Sequence, residues 1–107
     1  MHRYEVYWVD LDPTKGAEIK KQRPCVIVSP DELNKHLKTV VVAPLTTQVR
    51  DYYTFRPKVE IAGKKGQIAI DQIRVVDKSR LKGLLDELSS DEEKALRDLL
   101  NEMFCVE

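Results

Sequence analysis

Residues 4–28 read Tyr-Glu-Val-Tyr-Trp-Val-Asp-Leu-Asp-Pro-Thr-Lys-Gly-Ala-Glu-Ile-Lys-Lys-Gln-Arg-Pro-Cys-Val-Ile-Val. The aromatic and β-branched residues of 4–11 predict a partly buried strand. Residues 12–16 have strong turn chemistry, and a polar stretch continues to Gln22. The apolar run Cys25–Val28 predicts a second strand, buried on both faces. The connection is long for a plain hairpin, and long loops in small domains are often functional.

The middle of the chain contains further strand-forming stretches separated by turn residues. The last of these stretches is interrupted at Asp71-Gln72 and Arg74, so it can hold one strand or two. We expect a tight basic hairpin turn at residues 63–66 and a polar loop with an aromatic tip at residues 48–53. The predicted strands are Thr39–Leu45, Thr54–Ile61 and Gln67–Val76.

Two segments carry the start signals of helices. Ser29 with Pro30 predicts a short helix that ends near Lys38, with Ser29 as its N-cap. Ser90-Asp91-Glu92-Glu93 has the pattern of a capping box and predicts a terminal helix. One face of that helix is apolar and predicts core packing or a dimer contact; it consists of Leu96, Leu99, Leu100, Met103 and Phe104.

The sequence therefore predicts a mainly β protein with helices, of the α+β class. Short strands that must avoid free edges favour a small, twisted antiparallel β-barrel with one short inserted helix and a C-terminal helix. The length of 107 residues and a hydrophobic content of 42% suit a single domain, 1–107, with one core.

Composition limits the function classes. No apolar run approaches the roughly 20 residues that span a bilayer, and no signal peptide is recognisable, so we expect a cytoplasmic protein without a membrane partner. The net charge is zero, but residues 1–80 carry fifteen Lys and Arg against ten Asp and Glu, and residues 81–107 carry three against eight. A basic functional face on the first part and a chance partition of solvated charges both fit this asymmetry.

The cysteines and histidines give no sign of a metal or cofactor site. Cys25 and Cys105 lie far apart in apolar neighbourhoods, without C-x-x-C spacing, and predict two buried thiols. His2 and His36 lie in the N-terminal tail and in the short polar helix. We therefore expect no metal site and no cofactor.

Polar residues stand at three places where a predicted strand meets a loop. Arg23 precedes the second strand, Thr46 and Thr47 follow the third, and Asp71-Gln72 interrupts the last apolar stretch. Such side chains are held rigidly yet face solvent, which suits a functional site. Structural alternatives are an arginine that extends to solvent, threonines that cap a turn and an Asp-Gln pair that ends a strand.

Three blocks of the sequence resemble the MazF/PemK family of toxin endoribonucleases. They are residues 4–30, the segment Val42-Ala43-Pro44-Leu45-Thr46-Thr47-Gln48 and the segment Ile70-Asp71-Gln72-Ile73-Arg74, in the family's order and spacing. The resemblance covers nearly the whole chain. It implies the MazF/PemK/CcdB type of β-barrel, a homodimer, sequence-selective and metal-independent cleavage of single-stranded RNA (mRNA), and a MazE-like antitoxin that can bring the pair to DNA.

The resemblance also implies roles for particular residues. Cleavage without a metal uses the 2′-hydroxyl of the RNA as nucleophile, so the protein has to stabilise the phosphate and move protons. The planar guanidinium of Arg23 suits the phosphate, and Thr46 can add a hydrogen bond to it. Glu18 matches an acidic position of the family and is the candidate proton acceptor or orienting group. Asp71 can read base edges, hold the arginine or take part in proton transfer.

A further set of residues is predicted to bind RNA. Lysines in the first long loop can attract phosphates, and aromatic residues at the loop tip can stack on unpaired bases, although they can equally pack the loop. The predicted RNA-binding residues are Thr47, Gln72, Lys15, Lys20, Tyr52 and Tyr53.

Two positions depart from the family. Some relatives have a histidine at the position of Ala17 and an arginine at the position of Ala69, so a mechanism that depends on that histidine is excluded and the general acid is unassigned. Two alternatives stay open. One is a CcdB-like inhibitor of DNA gyrase with the same fold, since fold alone does not separate the two. The other is an inactive RNA- or partner-binding domain.

Overall fold

The computed structural model describes residues 1–105. Within that range the chain forms seven strands, two α-helices and two single 3₁₀ turns. The strands are β1 (Glu5–Asp10), β2 (Gln22–Ile27), β3 (Thr39–Thr46), β4 (Lys58–Ile61), β5 (Lys64–Ile68), β6 (Arg74–Asp77) and β7 (Leu81–Glu87); the helices are α1 (Asp31–His36) and α2 (Ser90–Phe104); the 3₁₀ turns are Ile70–Gln72 and Lys78–Arg80.

The strands form one curled antiparallel sheet in the order β4-β5-β3-β2-β1-β7. β3 is the centre of this sheet because it changes partner along its length. Its first half, Thr39–Val42, pairs with β6, whereas Leu45 and Thr46 pair with β5. The 3₁₀ turn Ile70–Gln72 joins those two partners. The sheet therefore curls into a half-barrel, and the predicted mainly β architecture with an inserted and a terminal helix is confirmed.

The two central strands, β2 and β3, are buried on both faces over residues 25–27 and 42–45, as predicted for Cys25–Val28. One apolar cluster lies between the curled sheet and α2; it includes Val6, Val26, Ala43, Leu45, Ile68 and Leu96. A second cluster lies on the opposite face beneath the first long loop; it includes Val9, Leu11, Cys25, Ile27 and Val42. These alternating side chains fix the register of the sheet, because a slip by one residue would exchange the two faces.

The terminal helix forms as predicted, but its capping box lies one residue earlier. The Ser89 hydroxyl accepts from Glu92 N–H at 3.2 Å, and the Glu92 carboxylate accepts from Ser89 N–H at 2.9 Å. The expected box at Ser90 and Glu93 is therefore wrong by one position. Of the apolar face, Leu96 is fully buried, whereas Phe104 at its end is exposed.

The start of α1 also differs from the prediction. Pro30 is the N-cap residue and no side chain caps the helix, so the N-cap predicted at Ser29 is wrong. The Ser29 hydroxyl instead donates to the amide oxygen of Asn34 and accepts from Val41 N–H at 3.0 Å. This hydroxyl ties the helix to β3, and a buried hydroxyl needs such partners.

Two strand predictions require correction. The strand expected over Thr54–Ile61 begins only at Lys58, because residues 54–57 form turns. The hairpin turn between β4 and β5 consists of Ala62 and Gly63 alone, with φ values of 50° and 80°. Two central residues with positive φ match the twist of a two-residue hairpin. Lys64 and Lys65 therefore belong to β5 and not to the turn.

The sequence did not predict β7. Its residues, Leu-Lys-Gly-Leu-Leu-Asp-Glu, lack β-branched side chains, and the strand exists because it pairs with β1 across two register shifts.

One thiol prediction was also wrong, since Cys105 is exposed. Cys25 is buried as predicted, and burial raises the pKa of its thiol to about 12. No helix within residues 1–105 is both long and apolar enough to cross a bilayer.

Candidate functional site

The beginning of β2 and the end of β3 bring Arg23, Thr46 and Thr47 to one cleft. Cys25 pairs with Pro44 in the antiparallel register, so Arg23 and Thr46 each lie two residues further along on the same face. All three predicted site residues line a cleft of about 300 Å³, which we call the cationic cleft. Arg23 and Thr47 are exposed and Thr46 is half-buried, so all three are within reach of a ligand.

The charge of this cleft has one sign. Lys64 and Lys65 of β5 line it together with Arg23, and none of its lining residues in the described chain is acidic. Its remaining wall is largely apolar; it includes Trp8, Pro24, Leu45, Ile61 and Leu85. A concave surface with three cations, two hydroxyls and an apolar wall suits an anionic ligand that also carries flat apolar groups. A nucleic acid strand is such a ligand.

Backbone packing shapes the floor of the cationic cleft. β5 lies so close to β3 at Gly66 that a Cβ atom there would be 2.7 Å from the carbonyl oxygen of Thr46. Only glycine fits this approach, because real Cβ atoms do not come so close to backbone oxygen. Gly66 therefore sets how near Lys65 of β5 comes to Thr46 of β3.

Three of the other predicted site residues line a second cleft of about 400 Å³. Glu18, Asp71 and Gln72 lie there with Arg74, and Pro44 of β3 is also part of its wall. Since Leu45 and Thr46 line the first cleft, both clefts border β3. The predicted residues that line a cleft thus fall into two groups, with Arg23, Thr46 and Thr47 in the cationic cleft and Glu18, Asp71 and Gln72 in the second.

Glu18 lies on the long loop between β1 and β2. Its carboxylate accepts a hydrogen bond from Lys15 N–H in the same loop. The Arg23 guanidinium donates from Nε to the carbonyl oxygen of Lys20 at 3.3 Å, so Arg23 contacts the loop that carries Glu18. Lys15 and Lys20 are exposed on this loop and are not among the residues that line either cleft.

Asp71 is engaged by Arg56, a residue that the sequence analysis did not single out. Nε and Nη2 of Arg56 each donate to one carboxylate oxygen of Asp71 at 2.8 Å. The hydrogen bonds from Arg56 lower the pKa of Asp71 below its usual range, and those to Asp71 raise the pKa of Arg56. Asp71 is therefore ionised at neutral pH and is poorly suited to donate a proton.

Arg56 also organises the aromatic loop. Its guanidinium carbon lies 4.6 Å from the ring centroid of Tyr53, within the range of a cation–π contact. Tyr52 packs edge-on against Tyr53 with centroids 4.6 Å apart and is itself 69% exposed. In the sequence, the one sign of the cation–π contact is that Arg56 closely follows three aromatic residues. The pairing of Arg56 with Asp71 has no such sign, because it joins segments that are distant in sequence.

Gln72 holds the first long loop. Its side-chain oxygen accepts from Ile19 N–H at 2.7 Å, and its amide nitrogen donates to the carbonyl oxygen of Ala17 at 3.5 Å. Asp71 and Gln72 thus contact two different loops from one 3₁₀ turn. Among residues 1–105, no three His, Cys, Asp or Glu side chains are grouped so that they could hold a metal ion.

A family model described as "PemK-like, MazF-like toxin of type II toxin-antitoxin system" matches residues 2–104. The chain belongs to this toxin family. A curated member, the endoribonuclease MazF of Staphylococcus saprophyticus, is 36% identical to it over an alignment that covers 94% of this chain and 88% of the relative. The MazF/PemK resemblance carried by the three sequence blocks is therefore confirmed.

Solved structures share the fold of this family member. MazF from Deinococcus radiodurans superimposes with a TM-score of 0.86, at 23% identity, over 99% of this chain and 97% of its own. A mycobacterial endoribonuclease in complex with its cognate antitoxin gives a TM-score of 0.83, at 23% identity, over 100% of this chain and 97% of its own. At this level of identity the likeness establishes the half-barrel fold.

Proposed function

We propose that this family member is the toxin of a type II toxin–antitoxin pair and acts as an endoribonuclease on single-stranded mRNA, which inhibits translation and growth. The observation that carries the proposal is the cationic cleft, where Arg23, Thr46 and Thr47 face one opening beside Lys64 and Lys65. The 36% identity to an endoribonuclease over most of the chain supports the same activity. We infer a cytoplasmic location because mRNA is the substrate.

The proposed reaction is attack of the RNA 2′-hydroxyl oxygen on the adjacent phosphorus. The new P–O2′ bond forms as the P–O5′ bond breaks, which leaves a 2′,3′-cyclic phosphate and a 5′-hydroxyl. Arg23 donates hydrogen bonds to the non-bridging oxygens, where negative charge grows. Thr46 adds a hydroxyl donor to the same phosphate and helps to hold it in line. Such a reaction needs no protein nucleophile and no metal ion.

Two proton transfers complete the scheme. Glu18 is the proposed acceptor for the 2′-hydroxyl proton, and its loop lies against Arg23 through the contact to Lys20. The 5′-oxygen takes its proton from Arg23 or from water. Asp71 is bound by Arg56, so we assign it to positioning the aromatic loop, with Gln72 positioning the Glu18 loop. Thr47, Lys15, Lys20, Tyr52 and Tyr53 are proposed to bind the flanking RNA.

The partners follow from the same surface. A cationic cleft with an apolar wall suits an extended antitoxin segment that carries acidic and apolar residues and blocks RNA. The mycobacterial relative was solved with its cognate antitoxin, and Deinococcus MazF with MazE. We propose a MazE-like antitoxin, a homodimeric toxin, and DNA contact only through the antitoxin.

Cleavage in the presence of excess EDTA tests the reaction. Purified protein is incubated with a long, mostly unstructured RNA, and the fragment ends are mapped. We expect discrete cuts at a short recurring sequence, with cyclic or 3′-phosphate and 5′-hydroxyl ends. A folded protein that cuts none of many sequences would refute the nuclease and favour a gyrase inhibitor or an inert binder.

Substitution of Arg23 tests its assignment. Arg23→Lys keeps one charge but loses the planar fork, and Arg23→Ala loses both. We expect kcat to fall by about 100-fold or more in Arg23→Ala, with only partial recovery in Arg23→Lys. Arg97→Ala on the exposed face of α2 is the matched control and should retain full activity. Unimpaired cleavage by Arg23→Ala would remove Arg23 from the mechanism.

A further inference from the structure

The side chain of Gln67 has no part in the cleavage scheme, yet it is buried and bonded to one loop only. Its oxygen accepts from Arg50 N–H at 2.7 Å. Its amide nitrogen points at three carbonyl oxygens, those of Arg50 at 3.2 Å, Tyr53 at 3.4 Å and Arg56 at 3.0 Å. Only 1% of this residue is exposed, so water does not compete for these bonds. One amide thus holds both ends and the middle of segment 50–56.

The segment held by Gln67 carries an exposed aromatic surface, and its Arg56 binds Asp71, which lines the second cleft. Two consecutive turns, closed by Tyr53 N–H to Arg50 and by Arg56 N–H to Tyr53, aim their carbonyl groups inward at the amide. The outer side of the same turns presents Tyr52, which is 69% exposed and packs edge-on against Tyr53. A tyrosine ring held in this way is a preformed stacking surface for an unpaired base.

The backbone of Gln67 is fixed to the cationic cleft. Gln67 pairs with Thr46 across β5 and β3, and its neighbour Gly66 touches the Thr46 carbonyl. The residue therefore joins the strand that carries the proposed phosphate contact to the loop that carries the aromatic surface. Its backbone pairs with Thr46 of β3, and its side chain holds segment 50–56.

We propose that Gln67 is a positioning residue for RNA binding, which fixes the aromatic segment 50–56 relative to Thr46 so that a base flanking the bound phosphate stacks on Tyr52. This inference rests on the proposed function. Without the amide, Arg50 N–H and the Arg56 carbonyl lose their buried partner, and the Arg50 and Tyr53 carbonyls keep only their turn hydrogen bonds. A segment in that state reorganises toward water. RNA binding would then have to order the segment again, and the free-energy cost of that ordering would lower the affinity for RNA.

A double-mutant cycle tests the proposal. The ligand is a fluorescent oligonucleotide containing the mapped cleavage sequence, with a 2′-deoxy nucleotide at the cut so that it binds without reacting. In the otherwise unchanged protein, Tyr52→Ala should weaken binding about tenfold, as expected for the loss of one base–aromatic stack. In the Gln67→Met background, where side-chain volume is kept, the same substitution should cost less than about twofold.

Val6→Ala is the matched control, because it removes a buried core side chain that lies on β1. It should destabilise the fold while leaving the full tenfold effect of Tyr52→Ala, which separates positioning from general loss of stability. Gln67→Met should also raise KM with little change in kcat. If Gln67→Met does not fold, Gln67→Asn keeps a neutral amide that is one methylene too short to hold segment 50–56, and it is expected to show the same loss of coupling.

The outcomes separate this inference from the proposed function. Equal effects of Tyr52→Ala with and without the Gln67 substitution would overturn the positioning role, as would an unchanged affinity of Tyr52→Ala alone. In either case, cleavage of RNA by the unsubstituted protein would leave the proposed function standing. An unsubstituted protein that neither binds nor cuts RNA would refute the proposed function itself.

Discussion

At the scale of single residues, the arginines Arg56 and Arg23 of the candidate site differ in their hydrogen-bond partners. Arg56 uses two of its nitrogens on Asp71, and this pair lies beside the aromatic loop. Arg23, by contrast, donates to a backbone carbonyl and remains exposed at the cationic cleft. An arginine already bound to a carboxylate has less to offer a phosphate, so Arg23 is the guanidinium that the cationic cleft leaves available to an anion.

The Arg56–Asp71 pair predicts a pH dependence of stability. The pKa of Asp71 in the folded state lies below its ordinary value of about 3.9, so the pair stabilises the fold above that value and loses this contribution as pH falls through the lowered pKa. The Asp71 side chain is 35% exposed and solvent screens the pair, so the effect should be about 1 kcal/mol or less.

Urea unfolding of the unsubstituted protein and of Asp71→Asn checks this expectation. The free energies of unfolding should differ most at about pH 6 and converge as the pH approaches about 2. Asp51→Asn is the control, because Asp51 pairs with Lys58 but is 88% exposed, so solvent screening should leave a smaller difference. If the free energies of unfolding of Asp71→Asn and the unsubstituted protein differed by the same amount across this pH range, the ionised pair would contribute nothing to stability.

At the scale of secondary structure elements, the site depends on the contact of β5 with β3. Thr46 lies on β3, while Lys64, Lys65 and Gln67 lie on β5. The register Thr46 to Gln67 therefore sets the relation between the hydroxyl, the two lysines and the aromatic loop. The absence of a side chain at Gly66 allows this pairing to be close.

Gly66→Ala should therefore disturb both stability and activity. The new Cβ atom would lie 2.7 Å from the Thr46 carbonyl oxygen, so one of the two strands has to move. We expect a loss of about 1–3 kcal/mol in unfolding free energy, as for other overpacked sites, together with a lower kcat/KM. Gly83→Ala on β7 is the matched control because no atom lies within 4 Å of its added Cβ. Equal behaviour of the two variants would contradict the close-packing argument.

At the scale of the whole molecule, the charges are distributed in accordance with the proposed function. The acidic surplus lies in residues 81–107, which include β7 and α2, whereas the cations of the cationic cleft lie on β2 and β5. A chain of zero net charge can therefore still present a basic surface to RNA.

The proposed homodimer is a property of the whole molecule and has a direct test. Light scattering over a range of protein concentrations should give twice the chain mass of 12.4 kDa. A two-fold assembly would place two copies of the cationic cleft in one particle. We expect RNA to bind in a composite groove, that is, a groove to which both subunits contribute. A chain that stays monomeric at every concentration tested would contradict the composite groove.

The local chemistry of the sequence determined most of the elements. Turn residues, capping signals and runs of β-branched residues located β1, β2, β3 and α2, because these signals act over a few residues. The three family blocks led to Arg23 and Thr46. The same reasoning failed for β7, which has no strand-forming residues of its own, and for residues 54–57, whose turns depend on a distant amide.

Only the tertiary structure decided how the site is assembled. Arg56 meets Asp71 across fifteen positions, and Gln72 reaches Ile19 across fifty-three, contacts that no local pattern encodes. The division of the predicted residues between two clefts likewise arises from the change of partner along β3. Local propensity is fixed by neighbouring residues, whereas these contacts exist only once the curled sheet has brought distant segments together.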